Sequence, residues 1–260
     1  MKKVFLGVGH GGTDPGAVAN GLREKDVNLG IALAAQKELE RAGVEVKLSR
    51  YRDEDDALTE EIRECNAYGP DLAVDIHNNA GGGDGFEAYC SMVGGVSRKL
   101  AENIEVRVKA IGQNSRGVKT RPYPGKPSLD YYGFVRETRG PAVLCEFAFL
   151  DNPRDVAAVA GPEAQEAMGM ALARGILDTL GIPWQSPEKW AVRIQHFTRR
   201  EDAAETSGWI RALGLYNEIH TDSENGKYVV DVFSFSARDK ADALAEILNH
   251  QRYSVVVRQA

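Results

Sequence analysis

Short apolar runs alternate with longer segments of helical periodicity through the first 180 or so residues. Val4–Val8 is an apolar run ending in glycines, the pattern of a buried strand. Glu24–Ala42 carries Val27, Leu29, Ile31, Leu33 and Leu39 at helical spacing, and Gly43 stops it. By the same criteria Val44–Leu48, Leu72–Ile76, Phe86–Met92, Phe134–Glu137 and Ala142–Phe147 are expected as strands. Ala57–Tyr68, Ser97–Ile111 and Glu163–Leu180 are expected as helices, and Gly112–Asp130 as a long irregular stretch. Strands alternating with helices of this length predict an α/β domain, its mostly parallel sheet covered by helices on both faces.

The pattern breaks at Gly181–Pro187, where two prolines and a glycine mark a linker. Beyond it Trp190–Phe197 aligns, 38 residues on, with Tyr228–Phe235, both fitting aromatic-x-Val-x-apolar-x-x-Phe. Each copy precedes an Ala-rich amphipathic helix (Glu201–Leu213, Lys240–Asn249) and then a strand (Leu215–His220, Tyr253–Arg258). Two β-α-β halves make a small ferredoxin-like α+β domain. The expected organisation is therefore a domain over 1–183, a linker over 184–189 and a second domain over 190–260. Strand alternation turns Val192, Ile194, Val230 and Val232 toward the helices and leaves Arg193, Gln195, Asp231 and Phe233 on the open sheet face.

Charge narrows the possible partners. The chain carries 32 Lys and Arg against 38 Asp and Glu, a net charge of -6. Residues 1–183 hold 22 basic against 27 acidic side chains, and residues 184–260 hold 10 against 11. Neither part has the basic stripe that a phosphate backbone requires, so nucleic acid is excluded as a partner. No apolar stretch is long enough to span a membrane. Val4–Val8 is too short for the apolar region of a signal peptide, so synthesis in the cytoplasm without a leader is expected. The three cysteines, Cys65, Cys90 and Cys145, have no paired spacing and sit in core-like segments, which indicates buried thiols rather than disulfides.

Candidate chemistry gathers at strand ends. His10 stands where the first strand runs into Gly9, Gly11 and Gly12, and His77 where the third runs into Asn78, Asn79 and a glycine cluster. In a parallel sheet these are carboxyl ends of strands, where ligands bind. Glu24 opens a helix and is either a third ligand or an ordinary first-turn acid favoured by the helix dipole. Glu146 is an acid embedded in an apolar strand, and such residues are seldom buried without a partner or a task. Two histidines and a carboxylate with an open fourth position make a catalytic zinc arrangement, with a second carboxylate as general base.

The motif Gly9-His10-Gly11-Gly12-Thr13-Asp14-Pro15-Gly16-Ala17 followed by Glu24-Lys25-Asp26-Val27-Asn28-Leu29 resembles the opening of the type 3 N-acetylmuramoyl-L-alanine amidase family. Asp75–Ala80 is similar to that family's second motif, Arg116–Lys119 to its third and Pro141–Asn152 to its fourth. The resemblance covers residues 4 to about 180 in order. It implies zinc held by His10, Glu24 and His77, with Glu146 as catalytic acid/base, and Asn79 and Arg116 as substrate contacts. The implied reaction is hydrolysis of the amide between N-acetylmuramic acid and L-alanine in peptidoglycan, after release through a holin or by cell lysis. Family members commonly have Asp near Val8, Ser at Asp75, Asn at Ser115 and Gly at Ala148; none of these departures falls on an implied ligand. The C-terminal domain is similar to the sporulation-related repeat family, although Gln195 stands where a glycine is expected. That likeness implies glycan binding on the open face, with Gln195 and Phe233 as contacts.

Three other readings share these features. A zinc peptidase cutting within the stem peptide would use the same metal chemistry. A wall-binding protein with a dead site is disfavoured by the full set His10, Glu24, His77 and Glu146. RNA binding by the ferredoxin-like unit is disfavoured by the acid balance.

Overall fold

Lys3–Val8 forms strand β1, and the alternation of its side chains sets up the two faces of the main sheet. In the computed structural model, which describes residues 1–185, 190–235 and 238–259, the chain divides into unit 1, Met1–Trp184, and unit 2, Gln185–Ala260. After β1 come a small hairpin, β2 (Val18–Ala19) and β3 (Leu22–Arg23), helix α1 (Glu24–Arg41), β4 (Glu45–Leu48), α2 (Leu58–Tyr68) and β5 (Leu72–Asn79). Next are β6 (Phe86–Cys90), α3 (Gly95–Ala110), β7 (Ser115–Lys119), and a hairpin of β8 (Pro122–Tyr123) and β9 (Lys126–Asp130). Helix α4 (Gly133–Glu137), β10 (Ala142–Phe149), α5 (Pro153–Val159) and α6 (Pro162–Leu180) complete unit 1.

Six strands form one sheet in the order β4-β1-β5-β10-β6-β7. β4, β1, β5 and β10 are parallel, β6 runs antiparallel to β10, and β7 is parallel to β6. Val4, Leu6 and Val8, with Leu72, Val74, Ile76, Val143 and Cys145, join the large core under α1, α3 and α6. Phe5, Ala73 and Ala142 turn the other way and pack with Ile62 and Cys65 of α2 and Phe134 of α4. Leu6 is fully buried in the large core, so truncating it to Ala would cost about 2–5 kcal/mol. The thinner second face carries the polar residues described below.

Two sequence expectations need correction. Phe134–Glu137 lies in a helical turn, not a strand: Phe134 and Val135 are adjacent and both buried, which one strand face cannot achieve, and Thr138 N–H donates to the Phe134 carbonyl. A short apolar run does not distinguish the two states. Gly112–Asp130 is not irregular either, since it contains β7 and the β8–β9 hairpin. β7 is an edge strand of half-buried residues and the hairpin is largely exposed, so neither has an apolar signature.

Cys65, Cys90 and Cys145 are free and buried. Burial raises all three thiols, Cys65 to about 12. Among the described residues no helix is long and apolar enough to cross a membrane.

In unit 2, β11 (Trp190–Phe197), α7 (Arg200–Ala212), β12 (Asn217–Thr221), β13 (Tyr228–Phe235), α8 (Arg238–His250) and β14 (Ser254–Gln259) form an antiparallel sheet ordered β12-β13-β11-β14. This is the expected βαββαβ arrangement. The two repeat copies are neighbouring central strands, with Arg193 opposite Asp231. Val192, Ile194, Val230 and Val232 are fully buried against Ala203 and Ile210 of α7 and Ala241 and Leu248 of α8. Of the expected linker, residues 186–189 lie outside the described residues.

Candidate active site

The carboxyl ends of β1, β5 and β10 bring the candidate residues together. His10 follows β1 with φ at +64°, a left-handed conformation that a non-glycine residue holds at a cost of about 1–2 kcal/mol. Its loop is fixed from behind by Arg50, which is 1% exposed. Arg50 donates from Nε to the Val8 carbonyl (3.1 Å) and from Nη2 to the Lys25 carbonyl (2.7 Å). Asn28 adds a bond from Nδ2 to the Gly9 carbonyl (2.9 Å), and Asn78 Nδ2 donates to Asn28 Oδ1 (2.8 Å). Gly9 has no side chain because the His77 imidazole occupies that space.

Glu24 opens α1 and is 4% exposed. Its Oε2 lies 3.1 Å from His10 Nε2 and accepts from the Ala17 N–H at 2.9 Å. Its Oε1 lies 2.9 Å from His77 Nδ1 and accepts from the Asn78 N–H at 3.0 Å. The three side chains each offer one ligand atom, all within 4.8 Å of one another. The outer nitrogen of each imidazole faces a further acid: His10 Nδ1 lies 2.8 Å from Asp14 Oδ2, and His77 Nε2 lies 3.3 Å from Asp75 Oδ1.

The electrostatics follow from this packing. Burial pushes the Glu24 carboxyl up, but hydrogen bonds from His10 and His77 outweigh it and hold the group well below its ordinary range. His10 is raised, first by its Glu24 hydrogen bond, with burial opposing. Burial lowers His77, yet Asp75, Glu24 and Glu146 outweigh it and hold the imidazole well above its ordinary value.

Sheet register places His77, Glu146 and Glu87 side by side on β5, β10 and β6. The three side chains share the thinner face, and His77 and Glu146 line the cavity there. Burial lifts the Glu146 carboxyl to about 7, with His77 opposing, and its Oε2 is sealed without a hydrogen-bond partner. Glu87, 3% exposed, differs in having partners: Arg116, Lys119 Nζ (2.9 Å) and the Tyr89 hydroxyl (2.7 Å). An open cavity of about 310 Å³ abuts the group, lined by His10, His77 and Glu146 with Asp75, Glu61 and Tyr132 among others.

Four residues singled out from the sequence, His10, Glu24, His77 and Glu146, thus stand at one place. The other two from unit 1 do not line the cavity. Asn79 is turned to its own loop, its Oδ1 accepting from the Ala80 N–H (2.8 Å), and Arg116 pairs with Glu87 above the Phe149 ring. Gln195 and Phe233 belong to unit 2, where Phe233 lies 6.2 Å from the exposed Tyr216 ring. Asp231, expected on an open face, is 1% exposed, because Arg193 grips both its oxygens (2.8 and 2.7 Å) and Arg258 reaches Oδ2 (2.9 Å). Sequence reasoning missed Glu87, Glu61, Arg50 and the contact of Asp75 with His77. Alternation in Phe86–Cys90 would have placed Glu87 opposite the apolar Phe86, Ala88 and Cys90; nothing local marks Glu61 or Arg50.

The model of the N-acetylmuramoyl-L-alanine amidase family matches residues 4–178. The N-acetylmuramoyl-L-alanine amidase CwlM of Bacillus licheniformis is 32% identical over 219 residues, 83% of each chain. That alignment is longer than unit 1, so the likeness runs on into unit 2. A sporulation-specific N-acetylmuramoyl-L-alanine amidase of Bacillus subtilis is 38% identical over 60% of this chain, which spans 59% of that relative's length. Among solved structures, the catalytic domain of CwlV, an N-acetylmuramoyl-L-alanine amidase from Bacillus (Paenibacillus) polymyxa var. colistinus, superposes with a TM-score of 0.63 at 28% identity. It covers 70% of this chain and 100% of that one. The family match spans nearly all of unit 1, including His10, Glu24, His77 and Glu146, and the chain belongs to the N-acetylmuramoyl-L-alanine amidase family.

Proposed function

We propose that unit 1 hydrolyses the amide joining N-acetylmuramic acid to L-alanine in peptidoglycan, with zinc held by His10, Glu24 and His77 and with Glu146 as acid/base. The observation that carries this reading is the convergence of the three ligand atoms within 4.8 Å beside a carboxyl that has no partner of its own. The donor set fits zinc. Two imidazoles and a carboxylate are the ligand types that a catalytic zinc takes, and Glu24 touches both imidazoles, His10 through Oε2 at 3.1 Å and His77 through Oε1 at 2.9 Å. Zinc ligands of the imidazole type carry an acid or carbonyl on their outer nitrogen, which is the relation of His10 to Asp14 and of His77 to Asp75.

When bound, zinc polarises the scissile carbonyl and lowers the pKa of water. Glu146 takes a proton from the attacking water and delivers it to the departing amine of L-alanine, so the nitrogen leaves as a neutral amine. A carboxyl lifted to about 7 is matched to both transfers near neutral pH. Glu24 and Arg50 hold the two loops in place while this happens.

For unit 2 we propose binding of peptidoglycan glycan on the face bearing Tyr216, Phe233 and Gln195. The pairing of the exposed Tyr216 ring with the half-buried Phe233 ring supports this, since sugar rings stack on such faces. The buried Arg193–Asp231–Arg258 cluster serves the unit's stability instead. The test is mass spectrometry of products from purified sacculi: release of stem peptides with a free L-alanine amine is expected. Cleavage inside the stem would establish the peptidase reading in its place.

A further inference from the structure

Asp75 and Glu61 form a buried acid pair behind His77 that the proposed reaction does not use. β5 points Asp75 and His77 to the same face, and His77 meets two acids: Glu24 at Nδ1 (2.9 Å) and Asp75 at Nε2 (3.3 Å). Asp75 is 1% exposed, and its Oδ1 has no aligned hydrogen-bond donor. Glu61 reaches it from α2, is itself 4% exposed, and leaves Oε1 equally without a partner. Burial and the neighbouring Asp75 push the Glu61 carboxyl well above the ordinary range. The strand makes room for the pair. Gly7 stands opposite Asp75 in register, and a Cβ there would collide with Glu61 Oε1 and come within 3.0 Å of Asp75 Oδ1.

We propose that Asp75, backed by Glu61, is a positioning residue that keeps the proton of His77 on Nε2 and so presents Nδ1 to the His10–Glu24 side. The inference rests on reading His10, Glu24 and His77 as a metal site. An imidazole ligand binds through one nitrogen, and the group holding the other decides which nitrogen that is. The counterpart on His10 is Asp14, whose side chain is largely exposed and free to adjust. Asp75 is 1% exposed and backed by Glu61 and by Gly7 of β1, so His77 is the more firmly held end of the trio and His10 the more adjustable one.

The experiment uses the full chain, with zinc affinity read by chelator competition and the His77 imidazole read by proton–nitrogen NMR in metal-free and zinc-loaded protein. Asp75→Ala is expected to lower zinc affinity by roughly 10–100-fold and to abolish a slowly exchanging Nε2–H signal that the wild type shows in both states. Glu61→Gln keeps the shape and a donor toward Asp75, so it should stay within a few-fold of wild type, whereas Glu61→Ala should not. If Asp75→Ala does not fold, Asp75→Asn replaces it and should move the Nε2–H signal upfield and weaken zinc binding. A folded Asp75 variant with unchanged affinity and unchanged signal overturns the proposal, as does a zinc-loaded wild type whose His77 Nε2 bears no proton. Failure of the wild type to bind zinc refutes the metal reading instead, and the Nε2–H signal of metal-free protein then decides the positioning role alone.

Discussion

Replacing Glu146 by Gln should stabilise the metal-free protein while disabling it. The carboxyl lies on β10 with Oε2 sealed from solvent and unpartnered, and burial lifts it from the ordinary 4.5 to about 7. A raised carboxyl binds its proton more tightly when folded. Its contribution is therefore intact below pH 4.5 and is lost as pH rises from 4.5 through 7. At about 1.4 kcal/mol per pH unit, that interval bounds the loss at about 3 kcal/mol. Because the residue lines an open cavity and is only part-buried as a whole, about 1–2 kcal/mol is the appropriate figure. Glu146→Gln keeps the volume and carries no charge. Urea melts in the presence of chelator should show variant and wild type alike near pH 4 and the variant more stable by that amount near pH 8. Wall hydrolysis by the zinc-loaded variant should fall by about 10²–10⁴-fold, the usual range for a lost acid/base group. A variant less stable than wild type at pH 8, or one that still digests walls at the normal rate, would refute the reasoning.

Other outcomes follow from the same geometry. His10→Ala and His77→Ala should each lose zinc and activity together, and Glu24→Ala should weaken zinc binding, measured by metal analysis after gel filtration; retention of stoichiometric zinc in any of them displaces that residue from the ligand set. Gly9→Ala puts a methyl group where the His77 ring lies and should reduce zinc affinity while leaving the far-UV spectrum unchanged. Arg50→Met removes a buried charge that donates to four carbonyls, those of Val8, Gly9, Lys25 and Arg52, and should cost about 3–5 kcal/mol in a thermal or urea melt. For unit 2, Phe233→Ala should weaken sedimentation with sacculi without lowering its melting temperature, and Asp231→Asn should destabilise the unit by about 2 kcal/mol, scaled from charge-assisted hydrogen bonds. If Phe233→Ala binds walls normally, the aromatic face is not the glycan contact.

The parts of the chain legible from sequence were those in which local pattern and tertiary environment agree. Val4–Val8, ending in glycines, and Ala142–Phe147, opened by Pro141, read as buried strands, and the helix from Glu24 was bounded by Gly43. The two histidines stood out because glycine flanks a histidine for few purely structural reasons. The 38-residue repeat exposed unit 2 and put Arg193 and Asp231 on one sheet face. Phe134–Glu137 failed because four residues give no period, and β7 to β9 failed because exposed edge strands have no apolar face. Asp231 was misjudged because alternation fixes the side of a sheet on which a residue lies, whereas burial on that side depends on which neighbours fold over it, here two arginines. The acid pair was illegible for a different reason. Glu61 and Asp75 come from separate elements, and only the missing side chain at Gly7 allows them to meet.

Burial of the three thiols has a consequence for handling the protein and for how it fares when its surroundings change. With Cys65, Cys90 and Cys145 enclosed and their ionisation suppressed, almost no thiolate is present to react. Transfer from reducing to oxidising conditions should therefore leave the folded chain uncrosslinked and its activity unaltered. The same enclosure makes alkylation a clock for opening. Cys65 belongs to α2 on the thinner face, whereas Cys90 and Cys145 belong to the large core, so their relative labelling rates would report which layer of unit 1 loosens first.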